Sequence, residues 1–130
     1  MINQILYIFI AYFIGSISFG ILASKIFNIT DPRAMGSKNP GATNVLRTGN
    51  KYAAVFTLLG DMLKATLVVG IALSLNFSGN FLTAAILAVL LGHMYPIFYN
   101  FKGGKGVATA LGILLAINWE LALFTLLIWI

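Results

Sequence analysis

The sequence has no cysteine, three acidic residues and a single histidine among its 130 positions. Without cysteine there is no disulfide framework, no thiolate metal site and no thiol nucleophile. Three carboxylates leave little scope for paired-carboxylate catalysis or an all-protein metal cage, so no metal is expected; no cofactor is expected either. Charge is sparse altogether: Asp, Glu, Lys and Arg make up 8% of the chain, with a formal net charge of +5. What is present instead is apolar bulk. Hydrophobic residues account for 60% of the chain and the mean hydropathy is +0.97, a composition of membrane proteins rather than soluble domains.

Residues 1–24 carry no charged side chain, and the apolar run from Ile5 onward is about the ~20 residues that cross ~30 Å of hydrocarbon as a helix. The start Met1-Ile2-Asn3-Gln4 lacks a basic side chain, so the run reads as a retained span rather than a signal peptide. Small residues at Gly15, Ser16, Ser18 and Gly20 suit close helix packing. Residues 25–51 then turn polar, with five basic residues, one acidic residue, three glycines and two of the three prolines, and no transmembrane helix fits there. A second span runs from Tyr52 to about Leu75, interrupted by Asp61 and Lys64. Between Ala65 and Phe101 no Lys, Arg, Asp or Glu occurs, too long a stretch for one crossing, and "NFSGN" at 76–80 supplies the dividing turn. A third span covers about Phe81 to Tyr99 and a fourth begins at Gly106, with "NWE" at 118–120 as a turn between helices. The expected fold class is therefore all-α, a polytopic integral membrane bundle of about 4–5 spans. Basic residues gather in the 25–51 and 101–106 loops, which places the N-terminus outside and both loops on the cytoplasmic face.

These loops are also rich in glycine. In "GSKNPGATNVLR" at 36–47, glycines let backbone N–H groups turn onto an anion, Ser37, Asn39, Thr43 and Asn44 offer neutral donors, and Lys38 and Arg47 offer charge. The plain alternative is a capped turn held at lipid headgroups by its basic residues. In "FKGGKGVAT" at 101–109, two lysines flank Gly103 and Gly104, and a helix start at Gly106 adds its exposed N–H groups and positive dipole end. It is not a nucleotide P-loop, because G-x-x-x-x-G-K-[ST] needs glycine where Tyr99 stands and Ser or Thr where Gly106 stands. Membrane anchoring explains the lysines but not the three glycines.

His93 lies at the end of the third span, one turn or so before the lysine loop. A lone histidine is most often a hydrogen-bonded packing residue, and its depth and neighbours raise the case for a role in chemistry. There is no H-x-x-x-x-D box, since the residue five after His93 is Phe98. Asp61 and Lys64 sit at i,i+3, where a mutual pair facing the bundle interior is the economical arrangement.

At the two loops the sequence resembles the bacterial acyl-phosphate glycerol-3-phosphate acyltransferases. The motifs that carry the resemblance are "GSKNPGATNVLR" at 36–47, with Lys38 where the family often has glycine, and "GHMYPIFYNFKGGKGVAT" at 92–109. The resemblance implies transfer of an acyl group from acyl phosphate to the 1-hydroxyl of glycerol 3-phosphate, giving lysophosphatidic acid at the bacterial inner membrane. It implies catalytic roles for Ser37, Arg47, His93 and Lys105. Gly36, Asn39, Gly41, Thr43 and Asn44 would bind substrate, as would Lys102, Gly103, Gly104 and Gly106, with Thr109 in support. The hydroxyl proton would pass to His93 or to a substrate phosphate oxygen. Implied partners are the two substrates, membrane lipid and the soluble enzyme that makes acyl phosphate; nucleic acid is not among them. Residues 1–130 would be a single membrane acyltransferase domain, truncated at its C-terminus, because the family's third motif has no counterpart here. These residues alone are expected to insert without turnover. The alternative from another class is a non-enzymatic anion-binding or transport membrane protein, which would place its site near the bilayer midplane among broken helices.

Overall fold

The computed structural model describes residues 2–129, and all regular structure among them is helical. Helix α1 (Ile2–Gly15) and α2 (Phe19–Ile26) are followed by a polar segment carrying a 3₁₀ turn at Pro32–Ala34 and the short α3 (Ala42–Leu46). Then come α4 (Lys51–Ser74), α5 (Gly79–Met94), a second 3₁₀ turn at Ile97–Tyr99, α6 (Val107–Ile117) and α7 (Trp119–Trp129). By length and composition, α4 and the 79–99 segment can each cross a membrane, and α1 with α2, bent by 44° at their break, make a third if the pair is one span.

The first apolar run is thus two helices meeting at a break rather than one straight helix. Ser18 causes the restart: its hydroxyl caps α2 by accepting from the Ile21 amide, at 3.4 Å, with its own backbone extended. The segment before it closes with Ser16 bonded back to the Tyr12 carbonyl, leaving the Ile17 carbonyl outside both helices. Asn50 caps α4 in the same way as Ser18, by accepting from the Ala53 amide at 3.0 Å. The turn between α6 and α7 falls at Asn118, as "NWE" predicts.

Small side chains face inward and large ones face outward. On α4 the buried positions include Ala53, Ala54, Thr57, Ala65, Val68 and Ala72, whereas Leu59, Leu63, Leu67 and Ile71 are exposed. This suits lipid, which is as apolar as leucine, so that helices gain by close packing instead. One close crossing joins α1 to α5. A Cβ at Gly92 would stand 2.3 Å from the Tyr12 carbonyl oxygen, and one at Gly15 would stand 2.3 Å from that of Val89. One core of Ala11, Ala65, Val68, Val69, Ala88, Val89 and Ile113 joins α1, α4, α5 and α6.

Helix α6 runs parallel to α4 and begins deep beside it. Thr109 donates to the Asp61 carbonyl at 3.3 Å, and Thr66 donates to the Gly112 carbonyl at 2.9 Å. Asp61 is about 15 Å along α4 from Lys51, taking ~1.5 Å per residue. The end of α5 and the start of α6 therefore lie well below the first turns of α4, and the polar loops close over a recess.

Candidate active site

The first loop is folded around one buried side chain. Asn44, on α3, donates its amide to the carbonyls of Pro32 (2.7 Å), Met35 (3.1 Å) and Asn39 (3.0 Å), and its oxygen accepts from the Ser37 amide at 3.2 Å. Gly36, at φ +53°, leaves no room for a Cβ, which would meet the Asn44 oxygen at 2.3 Å. With its interior satisfied in this way, the loop presents Ser37, Thr43 and Arg47 on its exposed side.

The second loop packs onto the end of α5. The Gly103 amide donates to the Met94 carbonyl at 3.1 Å and the Gly104 amide to the His93 carbonyl at 3.2 Å. A Cβ at Gly103 would stand 2.0 Å from the His93 carbonyl oxygen, and one at Gly104 would stand 2.3 Å from His93 Nε2. Gly106 differs, having φ +81° and forming the N-cap of α6 with no side-chain cap. The first-turn N–H groups of α6 thus have no intrahelical acceptor, and the positive end of the helix dipole points the same way.

Both loops border one cavity of about 420 Å³. Ser37, Asn39, Gly41, Thr43, Asn44 and Arg47 line it from the first loop, and Lys105, Gly106, Val107 and Ala108 from the start of α6. Leu58 and Asp61 of α4, His93 of α5 and Trp129 of α7 complete the wall. Its cationic side chains are Arg47 and Lys105, both exposed, and together with the N-terminus of α6 they make a combination that suits phosphate.

Behind the cavity lies a buried polar cluster. Lys64 Nζ donates to the Ile17 carbonyl at 2.6 Å and to Asp61 Oδ1 at 2.9 Å, and stands 3.1 Å from His93 Nδ1. His93 Nδ1 is also 3.5 Å from Asp61 Oδ1. All three side chains are buried, and the break between α1 and α2 supplies the carbonyl that the lysine needs.

The family model described as glycerol-3-phosphate acyltransferase matches residues 5–130. The chain belongs to that family. The glycerol-3-phosphate acyltransferase of Methylobacillus flagellatus is 56% identical over 128 residues, covering 98% of this chain and 65% of the relative. That of Janthinobacterium sp. (strain Marseille) is 54% identical, covering 98% of this chain and 66% of the relative. The chain therefore spans just under two-thirds of the length of these curated relatives. Among solved structures it is similar to PlsY, an integral membrane glycerol 3-phosphate acyltransferase. The glycerol 3-phosphate form gives a TM-score of 0.91 at 44% identity, covering 98% of this chain and 64% of that one. The lysophosphatidic acid form gives 0.88 at 43%, with coverage of 98% and 63%.

Within this family framework, the structure gathers Ser37, Asn39, Gly41, Thr43, Asn44, Arg47, His93, Lys105 and Gly106 around one cavity. Others expected at the substrate do not line it. Gly103 and Gly104 are among the residues expected to bind substrate; both amides are taken by carbonyls of α5, and both glycines serve close packing. Asn44 borders the cavity, but its amide is committed to holding the loop rather than free to donate. Gly36 packs under Asn44, and Thr109 is wholly buried with its hydroxyl on the Asp61 carbonyl. Lys102 is exposed and lies outside the lining. The role of Asp61 and Lys64 as a pair was legible from their spacing; their junction with His93, across 29 residues, had no local signal.

Proposed function

We propose that this cavity binds glycerol 3-phosphate beside an acyl phosphate and that the protein transfers the acyl group to the 1-hydroxyl. The observation that supports the reading most directly is the convergence of Arg47, Lys105 and the uncapped start of α6 on one recess flanked by apolar helices. The reaction brings phosphate groups and one acyl chain to a membrane face, and such a recess offers both environments. The hydroxyl oxygen attacks the acyl carbon, the bond from that carbon to the phosphate oxygen breaks, and inorganic phosphate leaves as the hydroxyl proton is removed. Because the mixed anhydride is already activated, the protein's work is to hold both substrates and stabilise developing negative charge, with Arg47, Lys105 and Ser37 as the groups in reach. The product is lysophosphatidic acid.

In this reading residues 1–130 belong to one membrane domain, the N-terminus lies outside, and the loops face the cytoplasm of a bacterial inner membrane, where a soluble enzyme delivers acyl phosphate. A transport function would use the break between α1 and α2 as part of an ion path. That break instead faces a lysine whose donors already have partners, and the cavity opens between the polar loops.

The test is acyl transfer by Arg47→Ala and Lys105→Ala in a chain extended to its relatives' length and reconstituted in lipid. Each loses a charge-assisted phosphate contact worth about 1.5–3 kcal/mol, so kcat/KM should fall roughly 10- to 100-fold. Unchanged rates in both variants would overturn the assignment.

A further inference from the structure

We infer that Lys64 and Asp61 are positioning residues that fix His93 as the neutral tautomer with its proton on Nε2, so that the imidazole faces the cavity as a hydrogen-bond donor. The inference rests on the proposed acyltransferase site for its use, but its geometry stands apart from it. A lysine ammonium has three N–H donors and accepts nothing. Three acceptors surround Lys64 Nζ: the Ile17 carbonyl at 2.6 Å, Asp61 Oδ1 at 2.9 Å and His93 Nδ1 at 3.1 Å. Two of these can only accept, so the count closes when Nδ1 also accepts through its lone pair. A proton on Nδ1 would instead set two donors against each other at 3.1 Å, with its alternative acceptor, Asp61 Oδ1, at a longer 3.5 Å. The neutral ring then carries its proton on Nε2.

The other end of the ring agrees with this placement. Nε2 lies beside Gly104, where even one methyl group would collide with it at 2.3 Å. It has no hydrogen-bond partner among the described residues, yet no buried side-chain nitrogen or oxygen there lacks one, so Nε2 is open to the cavity that His93 lines. An Nε2 that already carries its proton can give a hydrogen bond to a substrate oxygen, and it cannot take the hydroxyl proton. Of the two acceptors considered for that proton, a substrate phosphate oxygen remains. The ammonium also sets a positive charge against Asp61, whose carboxylate would otherwise repel phosphate from the cavity wall.

His93 is the only histidine in the 130 residues, so histidine-selective ¹⁵N labelling of this chain in lipid vesicles gives ring signals from one site. The expected spectrum near neutral pH, without substrate, shows Nδ1 unprotonated and Nε2 protonated. In Lys64→Met the competing donor is gone, and a proton should appear on Nδ1 facing Asp61. A proton on Nδ1 in the unaltered chain would overturn the inference, as would an Nδ1 that stays unprotonated in Lys64→Met. Should that variant fail to fold, the unaltered chain's spectrum still decides. Because no turnover is measured, this result is independent of the Arg47 and Lys105 assay, and either reading can fail without the other.

Discussion

Glycines 103, 104 and 106 share one short loop and do three different things. Gly103 faces backbone carbonyls that cannot rotate away, Gly104 faces the rigid end of an imidazole, and only Gly106 holds a positive φ. Gly103→Ala is therefore expected to lower thermal stability in detergent by roughly 1–3 kcal/mol, the cost of overpacking a tight site. Gly70 provides the control, since a Cβ there meets nothing within 4 Å and its φ is not positive, so Gly70→Ala should stabilise by about 0.4–1 kcal/mol. Equal effects of the two substitutions would show that loop packing does not determine the requirement. Lys38 presents the opposite case: it sits at φ +59°, a conformation that glycine adopts without penalty. Lys38→Gly should raise the unfolding midpoint, the relieved strain being on the order of 1 kcal/mol; a lower midpoint would mean that the lysine side chain contributes more than its backbone costs. The sequence signalled glycine-rich anion chemistry in both loops. It held no sign that Gly103 and Gly104 are needed because α5 ends directly beneath them, since that requirement arises only when the loop folds back.

Helices α1, α4 and α5 meet through features that local pattern reveals unevenly. Spacing alone paired Asp61 with Lys64 on one face of α4, and apolar run length located α4 to within a residue or so but carried the third span on to Tyr99, where α5 ends at Met94. The break between α1 and α2 was hidden because "GSIS" at 15–18 is as apolar and small as a helix interface, and hydropathy does not register a serine acting as a cap. Yet the break is what gives Lys64 a carbonyl 47 residues away in sequence. An ion pair seated this way is best tested by removing its members singly and together. Lys64→Met leaves the Asp61 carboxylate buried without its cation, faced only by a neutral His93 N–H, and should cost about 3–5 kcal/mol. Adding Asp61→Asn removes the stranded charge, so the double variant is expected to be more stable than Lys64→Met alone in the same unfolding assay. A double variant no more stable than the single one would show that the carboxylate is not stranded by loss of the lysine.

Viewed as a whole bundle, the chain contains a helix that looks too short for a membrane crossing. Helix α6 has 11 residues, about 16 Å at ~1.5 Å per residue, against ~30 Å of hydrocarbon. Its register against α4 resolves the difference. Because Thr109 bonds the Asp61 carbonyl and Gly112 takes a bond from Thr66, α6 starts at the floor of the recess rather than at the membrane surface. Six residues past Gly112, which packs on the Met62 carbonyl and bonds Thr66, Asn118 reaches the level of about residues 68–72 on α4, within two turns of that helix's end at Ser74. Trp119 and Glu120 follow at once, an aromatic and a charge suited to an interface. Helix α7 then returns toward the cavity, which Trp129 lines. The recess that exposes the start of α6 is thus the same feature that lets so short a helix approach the level of the α4 C-terminus. The absence of native cysteine makes this directly testable, since single introduced thiols give the only signal. With a membrane-impermeant thiol reagent, Asn118→Cys and Asn76→Cys should be modified from the outer face, and Lys102→Cys only when the reagent has access to the cytoplasmic face. Modification of Asn118→Cys from the Lys102 side, or from neither side, would mean that α6 and α7 form a hairpin dipping partway into the membrane, and the register drawn from Thr66 and Thr109 would not describe the embedded protein.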